Sequence, residues 1–245
     1  MYLQSIASAN PIHSISQPDC HSIIRASEWH EALSTRSKLL LEKVMLGGSG
    51  IDHRQYAMDD ITKLFGADAQ ELNEYFERES SDLATAALEK ALEKAGLAAH
   101  ELDAVFLCTC TGYLCPGVTS HVAEKAGLRD DVYLCDLVGL GCGAAIPTMR
   151  VAQGFCSQHP EAKVAVIAVE ICSAAFFVNE DPGVLISLCL FGDGASASIW
   201  SGVGSEDQWK ADHFTTTHRP EHREKIRFKN EGGKLKNQLH RSEEH

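Results

Sequence analysis

The sequence predicts an α/β fold in which a parallel sheet is covered by helices on both faces. From Ala104 onward apolar runs alternate with helical stretches: strand Ala104 to Cys110, helix Thr119 to Ala126, strand Val132 to Leu137, helix Cys142 to Cys156, strand Lys163 to Val169. The stretch Asp136-Leu137-Val138-Gly139-Leu140-Gly141-Cys142-Gly143-Ala144-Ala145 then sets a glycine-rich turn between one of these strands and the helix that follows it. In such sheets sites lie at the carboxyl ends of the strands, which is where Cys142 and Glu170 fall.

Ahead of this alternation, Tyr2 to Ala7 reads as a short strand that Asn10-Pro11 turns away. Ser22 to Met45 reads as one helix with Ile23, Ile24, Leu33, Leu39, Leu40 and Val44 facing the core, stopped by Gly47-Gly48-Ser49-Gly50. Ile51 to Tyr56 is a strand or turn in which Arg54 is a candidate phosphate contact on an otherwise acidic chain. Ser80 to Ala95 carries the clearest apolar stripe (Leu83, Ala84, Ala87, Leu88, Ala91, Leu92, Ala95), with Ser80 or Ser81 as cap and Gly96 as stop. Ile186 to Ala195 lies between two strands, and Gly192-Asp193-Gly194 reads as a hairpin-type turn with Asp193 as turn former. After Ser201 the apolar density falls, and Glu221 to His245 offers only Ile226, Phe228, Leu235 and Leu239 to a core.

Composition narrows the function. A formal charge of −12, from 22 Lys plus Arg against 34 Asp plus Glu, disfavours nucleic acid or an anionic membrane as partner. No stretch approaches the roughly 18 apolar residues of a membrane helix, and Met1 to Asn10 lacks the basic region of a secretory signal. The expected location is the cytoplasm, where nine cysteines, an odd number, read as free thiols. The cysteine spacing gives no pair of pairs for zinc.

Cys142 invites two chemical readings and a structural one. At the mouth of a helix its sulfur meets free backbone N–H groups that favour an anion, and the flanking glycines let a carbonyl approach, so it is a candidate nucleophile for acyl transfer. Against a clean helix start there, Pro147 is expected to remove a backbone hydrogen bond. Gly139-x-Gly141-x-x-Ala144 also fits a loose dinucleotide fingerprint, with Glu170 following the next strand, which would make the chain a nucleotide-binding oxidoreductase. A cysteine in an apolar junction is equally at home as a small core residue.

Together, the cysteine turn, Cys110-Thr111-Gly112-Tyr113-Leu114-Cys115-Pro116-Gly117 and Leu190-Phe191-Gly192-Asp193-Gly194-Ala195 resemble the bacterial- or fungal-type type III polyketide synthases, the chalcone and stilbene synthase family of the thiolase superfamily. The resemblance runs from the opening strand to Lys229-Asn230-Glu231-Gly232-Gly233-Lys234-Leu235. It implies a thiolase-like layered α-β-α fold, here its N-terminal half with a mixed, mostly parallel sheet. It also implies an acyltransferase that loads a starter from acyl-CoA onto Cys142 as a thioester and extends it with malonyl-CoA, using CoA thioesters and no further cofactor. Phe191 matches the phenylalanine at the gate of the CoA tunnel, while Glu170 and Ala175 fall in the cavity-lining segment. Cys115 matches the dimer-contact region, so a homodimer is implied. Other thiolase-fold condensing enzymes, such as a beta-ketoacyl synthase or hydroxymethylglutaryl-CoA synthase, share the cysteine logic.

The family's catalytic histidine and asparagine motifs have no match here: His213, His218, His222, His240 and His245 lie in the polar tail and read as surface residues. The expected division is a thiolase-like domain over 1–201 followed by the start of a truncated C-terminal region over 202–245. Condensation by this chain alone is expected to be impaired or absent, because loss of one such donor costs on the order of 10²–10³ in rate. A non-catalytic fragment that pairs with another chain is the remaining expectation, with poor solubility and the Ser80–Ala95 helix or the Cys142 helix partly exposed.

Overall fold

The apolar runs from Ala104 to Val169 become the parallel centre of a five-stranded sheet in the computed structural model of the protein, which describes residues 1–239. Strands β1 (Tyr2–Ala9), β2 (His13–Ser16), β3 (His53–Tyr56), β4 (Ala104–Thr109), β5 (Tyr133–Val138), β6 (Val164–Glu170), β7 (Gly194–Ser201), β8 (Ile226–Glu231) and β9 (Lys234–Leu239) occur with seven α-helices among the described residues. The helices are α1 (Gln17–Arg25), α2 (Glu28–Ala32), α3 (Thr35–Leu46), α4 (Ala69–Ala95), α5 (Val118–Ala126), α6 (Ala145–Gln158) and α7 (Pro182–Leu190). The chain divides into two compact units.

The first unit comprises Met1–Asn10, Glu77–Glu170 and Gly194–Thr217. Its sheet has the order β1-β7-β6-β4-β5, with β5, β4 and β6 parallel and β7 antiparallel to both β6 and β1. The mixed, mostly parallel sheet is therefore observed, and the antiparallel β7 between β1 and β6 departs from the all-parallel nucleotide-binding arrangement. β4 is buried along its whole length, as expected of a central parallel strand. On one face Phe106, Val164, Val166, Ala152, Cys156 and Trp200 form a core. The α4 stripe is equally dry: Ala84, Ala87, Leu88 and Ala91 are fully buried, and Ser5 of β1 donates to the Ala91 carbonyl at 2.6 Å. The Cys142 helix, in contrast, leaves Ile146 and Val151 exposed.

Several elements differ from the sequence reading. Helix α4 begins at Ala69, because Leu72, Tyr75 and Phe76 continue the apolar spacing and Asp68 and Glu71 cap each other reciprocally at 2.8 and 2.9 Å. Ser80 and Ser81 are interior residues, with Ser81 bonding back to the Glu77 carbonyl. Pro147 is the third residue of α6, inside the first turn, where its missing N–H would have had no intrahelical acceptor.

The second unit comprises Pro11–Phe76, Ile171–Asp193 and His218 to the end of the chain. The helix expected over Ser22 to Met45 is three helices, because Ser16, Ser27 and Ser34 each accept a backbone N–H three residues on and start a new one. That break turns Leu39 outward, 60% exposed, while Ile24, Leu33, Leu41 and Met45 join Tyr56, Leu64, Leu185 and Cys189 in the core. Ile186 to Leu190 belongs to helix α7, started by Asp181 and Pro182. Gly192 and Asp193 form no hairpin: the Asp193 N–H donates to the Gln55 carbonyl at 2.8 Å, and a side chain at Gly192 would crowd that carbonyl. β8 and β9 close over Gly232-Gly233, whose positive φ values of 60° and 81° suit a two-residue hairpin turn. Ile226, expected in the core, is 69% exposed on that hairpin.

Phe106 is 1% exposed and its ring lies 5.8 Å from Tyr133 and 5.9 Å from Phe155. Phe106→Ala is expected to cost about 3–5 kcal/mol in urea unfolding of the sheet unit, and a loss below about 1 kcal/mol contradicts this packing.

Candidate active site

The glycine turn after β5 sets the position of the candidate nucleophile. Gly139 and Gly141 adopt φ of 80° and 66°, a left-handed conformation that costs other residues about 1–2 kcal/mol, so the chain can reverse sharply between Val138 and the 3₁₀ turn Gly141–Gly143. Cys142 sits in that turn, just ahead of α6, with its side chain exposed. No side chain or backbone crowds the Cβ positions of Gly139, Gly141 or Gly143, so the approach to the sulfur is open. Below it, Asp136 of β5 hooks the start of α5 by accepting from the Thr119 N–H and hydroxyl, and Gly117 leaves room for that carboxylate.

Glu170 ends β6 on the same carboxyl edge. Its carboxylate accepts the Cys110 N–H at 3.0 Å, the Thr111 hydroxyl at 2.7 Å and the Thr109 hydroxyl at 3.2 Å, so it ties the end of β4 to the end of β6. Burial, then the Glu170 charge, then Cys142 push the Cys110 thiol far above its ordinary value, which keeps it protonated. Cys110, Thr109 and Thr111 were given no site role in the sequence reading; the polar Thr-Cys-Thr end of an otherwise apolar run was the available signal.

The remaining candidates lie in the second unit. Arg54 is 6% exposed: its Nε donates to Gln17 at 3.1 Å, and one terminal nitrogen donates to the carbonyls of Leu188 and, at 3.2 Å, Phe191. These are the bonds of an arginine that holds protein backbone, and it stacks 5.4 Å from the Tyr56 ring. Phe191 caps α7 with its backbone pinned at both ends and its side chain 39% exposed. Arg54, Tyr56, Ala175, Phe176, Phe177, Val184, Phe191 and Phe228 line one pocket of this unit. Beside it, Asp193 is buried and accepts the Ala57 N–H at 2.9 Å, the Ser173 N–H at 2.9 Å and the Ser173 hydroxyl at 2.5 Å, a role beyond turn formation.

Of the tail histidines, His213 pairs with Thr215 at 3.0 Å, His218 and His222 are exposed, and His240 and His245 lie outside the described residues. Among the described residues no group of three His, Cys, Asp or Glu side chains is placed to hold a metal ion, and no helix is long and apolar enough to cross a membrane.

Residues 8–224 match the FAE1/type III polyketide synthase-like protein family. The chain belongs to the type III polyketide synthase family. 1,3,6,8-Tetrahydroxynaphthalene synthase of Streptomyces coelicolor is 32% identical over 137 residues, 55% of this chain and 36% of that enzyme. Phloroglucinol synthase of Pseudomonas fluorescens is 25% identical over 165 residues, 66% of this chain and 47% of that enzyme. These curated relatives are therefore matched over less than half of their own length. The solved structure of the Streptomyces coelicolor synthase superposes with a TM-score of 0.85 at 23% identity, covering 98% of this chain and 67% of that one. CsyB complexed with CoA-SH superposes at 0.80 with 25% identity, covering 97% of this chain and 67% of its own. The thiolase-like α/β architecture of the type III polyketide synthases is thus the fold of this chain.

Thiol accessibility follows from this geometry. At about pH 8, iodoacetamide is expected to label Cys115 and Cys142 first, because both are exposed. Cys189, fully buried and pushed up to about 12 by that burial, is expected to react only after unfolding. Peptide mapping reads the order, and labelling of Cys189 as early as Cys115 contradicts it.

Proposed function

We propose that this chain carries the acyl-loading cysteine of a polyketide-forming acyltransferase. The observation that carries the reading is Cys142: an exposed thiol on a positive-φ glycine turn at the carboxyl edge of parallel strands, in a chain of the type III polyketide synthase family. The sulfur attacks the carbonyl of a starter acyl-CoA, the bond to CoA breaks, and CoA leaves as the thiol. Decarboxylation of malonyl-CoA then yields a carbanion equivalent that attacks the Cys142 thioester and returns the thiol. Neither step changes an oxidation state, so CoA thioesters suffice as substrates without a resident cofactor. A CoA complex is known for the related CsyB, which supports a CoA thioester as the ligand.

Phe191, Ala175 and Arg54 are the substrate-binding residues of the second unit in this proposal. The Phe191 ring forms an apolar wall of the second unit's pocket, and Ala175 leaves room beside it. Arg54 acts through Phe191, whose carbonyl it holds. Glu170 acts in the first unit by fixing the backbone of Cys110 at the end of β4.

The partner is a second copy of the chain. β5 is an outer strand of the sheet, and Tyr133, Val138, Leu140, Ile146 and Val151 are exposed on it and on the segment that follows. The nine free cysteines suit the reducing cytoplasm.

Two measurements test this reading. Incubation with a panel of acyl-CoAs is expected to add one acyl mass that maps to Cys142 and is lost in Cys142→Ala; an adduct that survives in Cys142→Ala overturns the assignment. Sedimentation is expected to show a dimer that Val138→Asp converts to monomer, and a native monomer at concentrations of about 100 μM contradicts the interface.

A further inference from the structure

We infer that Arg54 and Asn237 form a carboxylate-binding site in the second unit's pocket, so that the pocket selects a thioester whose acyl group ends in a carboxylate over one that ends in hydrocarbon. The inference rests on the reading of CoA thioesters as substrates and adds the side chains that recognise one class of them.

Two polar side chains interrupt an otherwise aromatic pocket. Phe176, Phe177, Phe191 and Phe228 give it its walls, and Arg54, 6% exposed, and Asn237, 8% exposed, lie among them. Asn237 stands directly opposite Phe228 across the β8–β9 ladder, so both side chains belong to the face of the hairpin that meets the pocket. Helix α7 supports both polar groups: its last carbonyls hold Arg54, and at its start Gly183 packs so tightly on β9 that a Cβ there would come within 2.9 Å of Leu239. The Ser187 hydroxyl, also on the pocket, is already taken up by the Gly183 carbonyl at 2.7 Å.

The hydrogen bonds of these two groups are incomplete. A guanidinium carries five N–H donors in a planar fork. Nε of Arg54 is used by Gln17 and Nη1 by the carbonyls of Leu188 and Phe191, which leaves Nη2 without a hydrogen bond among the described residues. All three acceptors are neutral, and Arg54 makes no ion pair among the described residues. The neighbouring Asp193 carboxylate is engaged with Ala57 and Ser173. The Asn237 side-chain amide likewise has no hydrogen-bond partner among the described residues. Buried arginine is almost always paired with an anion, and buried polar side chains almost always find a partner. Two exceptions on one pocket point to a ligand group that is anionic and accepts from both.

A carboxylate meets these terms. It is planar, so it fits between aromatic rings, and it accepts from Nη2 and from the Asn237 Nδ2 while its single charge offsets the guanidinium. A phosphate brings more charge and three acceptor oxygens to a site with one cation. A ketone or hydrocarbon end leaves the cation uncompensated.

The test is calorimetric binding of malonyl-CoA and isovaleryl-CoA to the full chain carrying Cys142→Ala, which stops acyl transfer. In isovaleryl-CoA two methyl groups replace the two carboxylate oxygens of malonyl-CoA, so the pair isolates the group in question. Malonyl-CoA is expected to bind about tenfold or more tightly. Adding Asn237→Leu is expected to weaken malonyl-CoA by about tenfold and to leave isovaleryl-CoA within about twofold, whereas a merely structural role would weaken both alike. Adding Arg54→Met is expected to abolish the preference. Equal affinities for the two thioesters overturn the carboxylate site and leave the CoA reading in place; binding of neither overturns that reading and the inference with it. Should Arg54→Met lose its fold by circular dichroism, Asn237→Leu decides, and an unchanged preference there overturns the inference.

Discussion

The Glu170 carboxylate is the contact on which the candidate site depends. Parallel strands β4 and β6 end side by side, and the backbone leaving each must be fixed before any side chain there can hold a position. One carboxylate does this by accepting the Cys110 N–H and the hydroxyls of Thr109 and Thr111. Hydrogen bonds to a charged acceptor are worth about 1.5–3 kcal/mol each, more than their neutral counterparts, so the edge is held firmly. Burial of the Cys110 thiol, and after it the Glu170 charge, push that thiol far above its ordinary value.

The two units use polar groups to the same end. In the second unit, Arg54 gathers Gln17 and the carbonyls that end α7, and Asp193 gathers Ala57 and Ser173. A buried charge is tolerated only where its hydrogen bonds are satisfied, and here those bonds fix the backbone of Phe191 and of the 3₁₀ turn that carries Ala175. The aromatic pocket is thus supported by a polar frame around it.

What the sequence made legible follows from how local each signal is. β4 and β6 were readable because buried parallel strands are near-continuous apolar runs, and the Cys142 turn was readable because only glycine accepts its φ values. The division of Ser22 to Met45 was not read, since an apolar period looks the same across a break and the serine caps at 27 and 34 sit among ordinary helix residues. Helix α7 was hidden for a different reason: a short helix that is apolar all round has no period to distinguish it from a strand. The roles of Asp193, Cys110 and Thr111 depend on partners distant in sequence, Ser173 and Glu170, which no local pattern encodes.

The central claim is that the positive-φ turn presents Cys142 as an acyl acceptor. It is tested most directly by single-turnover transfer of a radiolabelled acyl group from acyl-CoA to the chain and to two glycine variants. Gly141 has a φ of 66° whereas Gly143 does not share that conformation, and neither Cβ position is crowded. Gly141→Ala is expected to slow labelling at Cys142 by about tenfold, from roughly 1–2 kcal/mol of backbone strain, while Gly143→Ala keeps the native rate. Labelling of Gly141→Ala at the native rate contradicts the account.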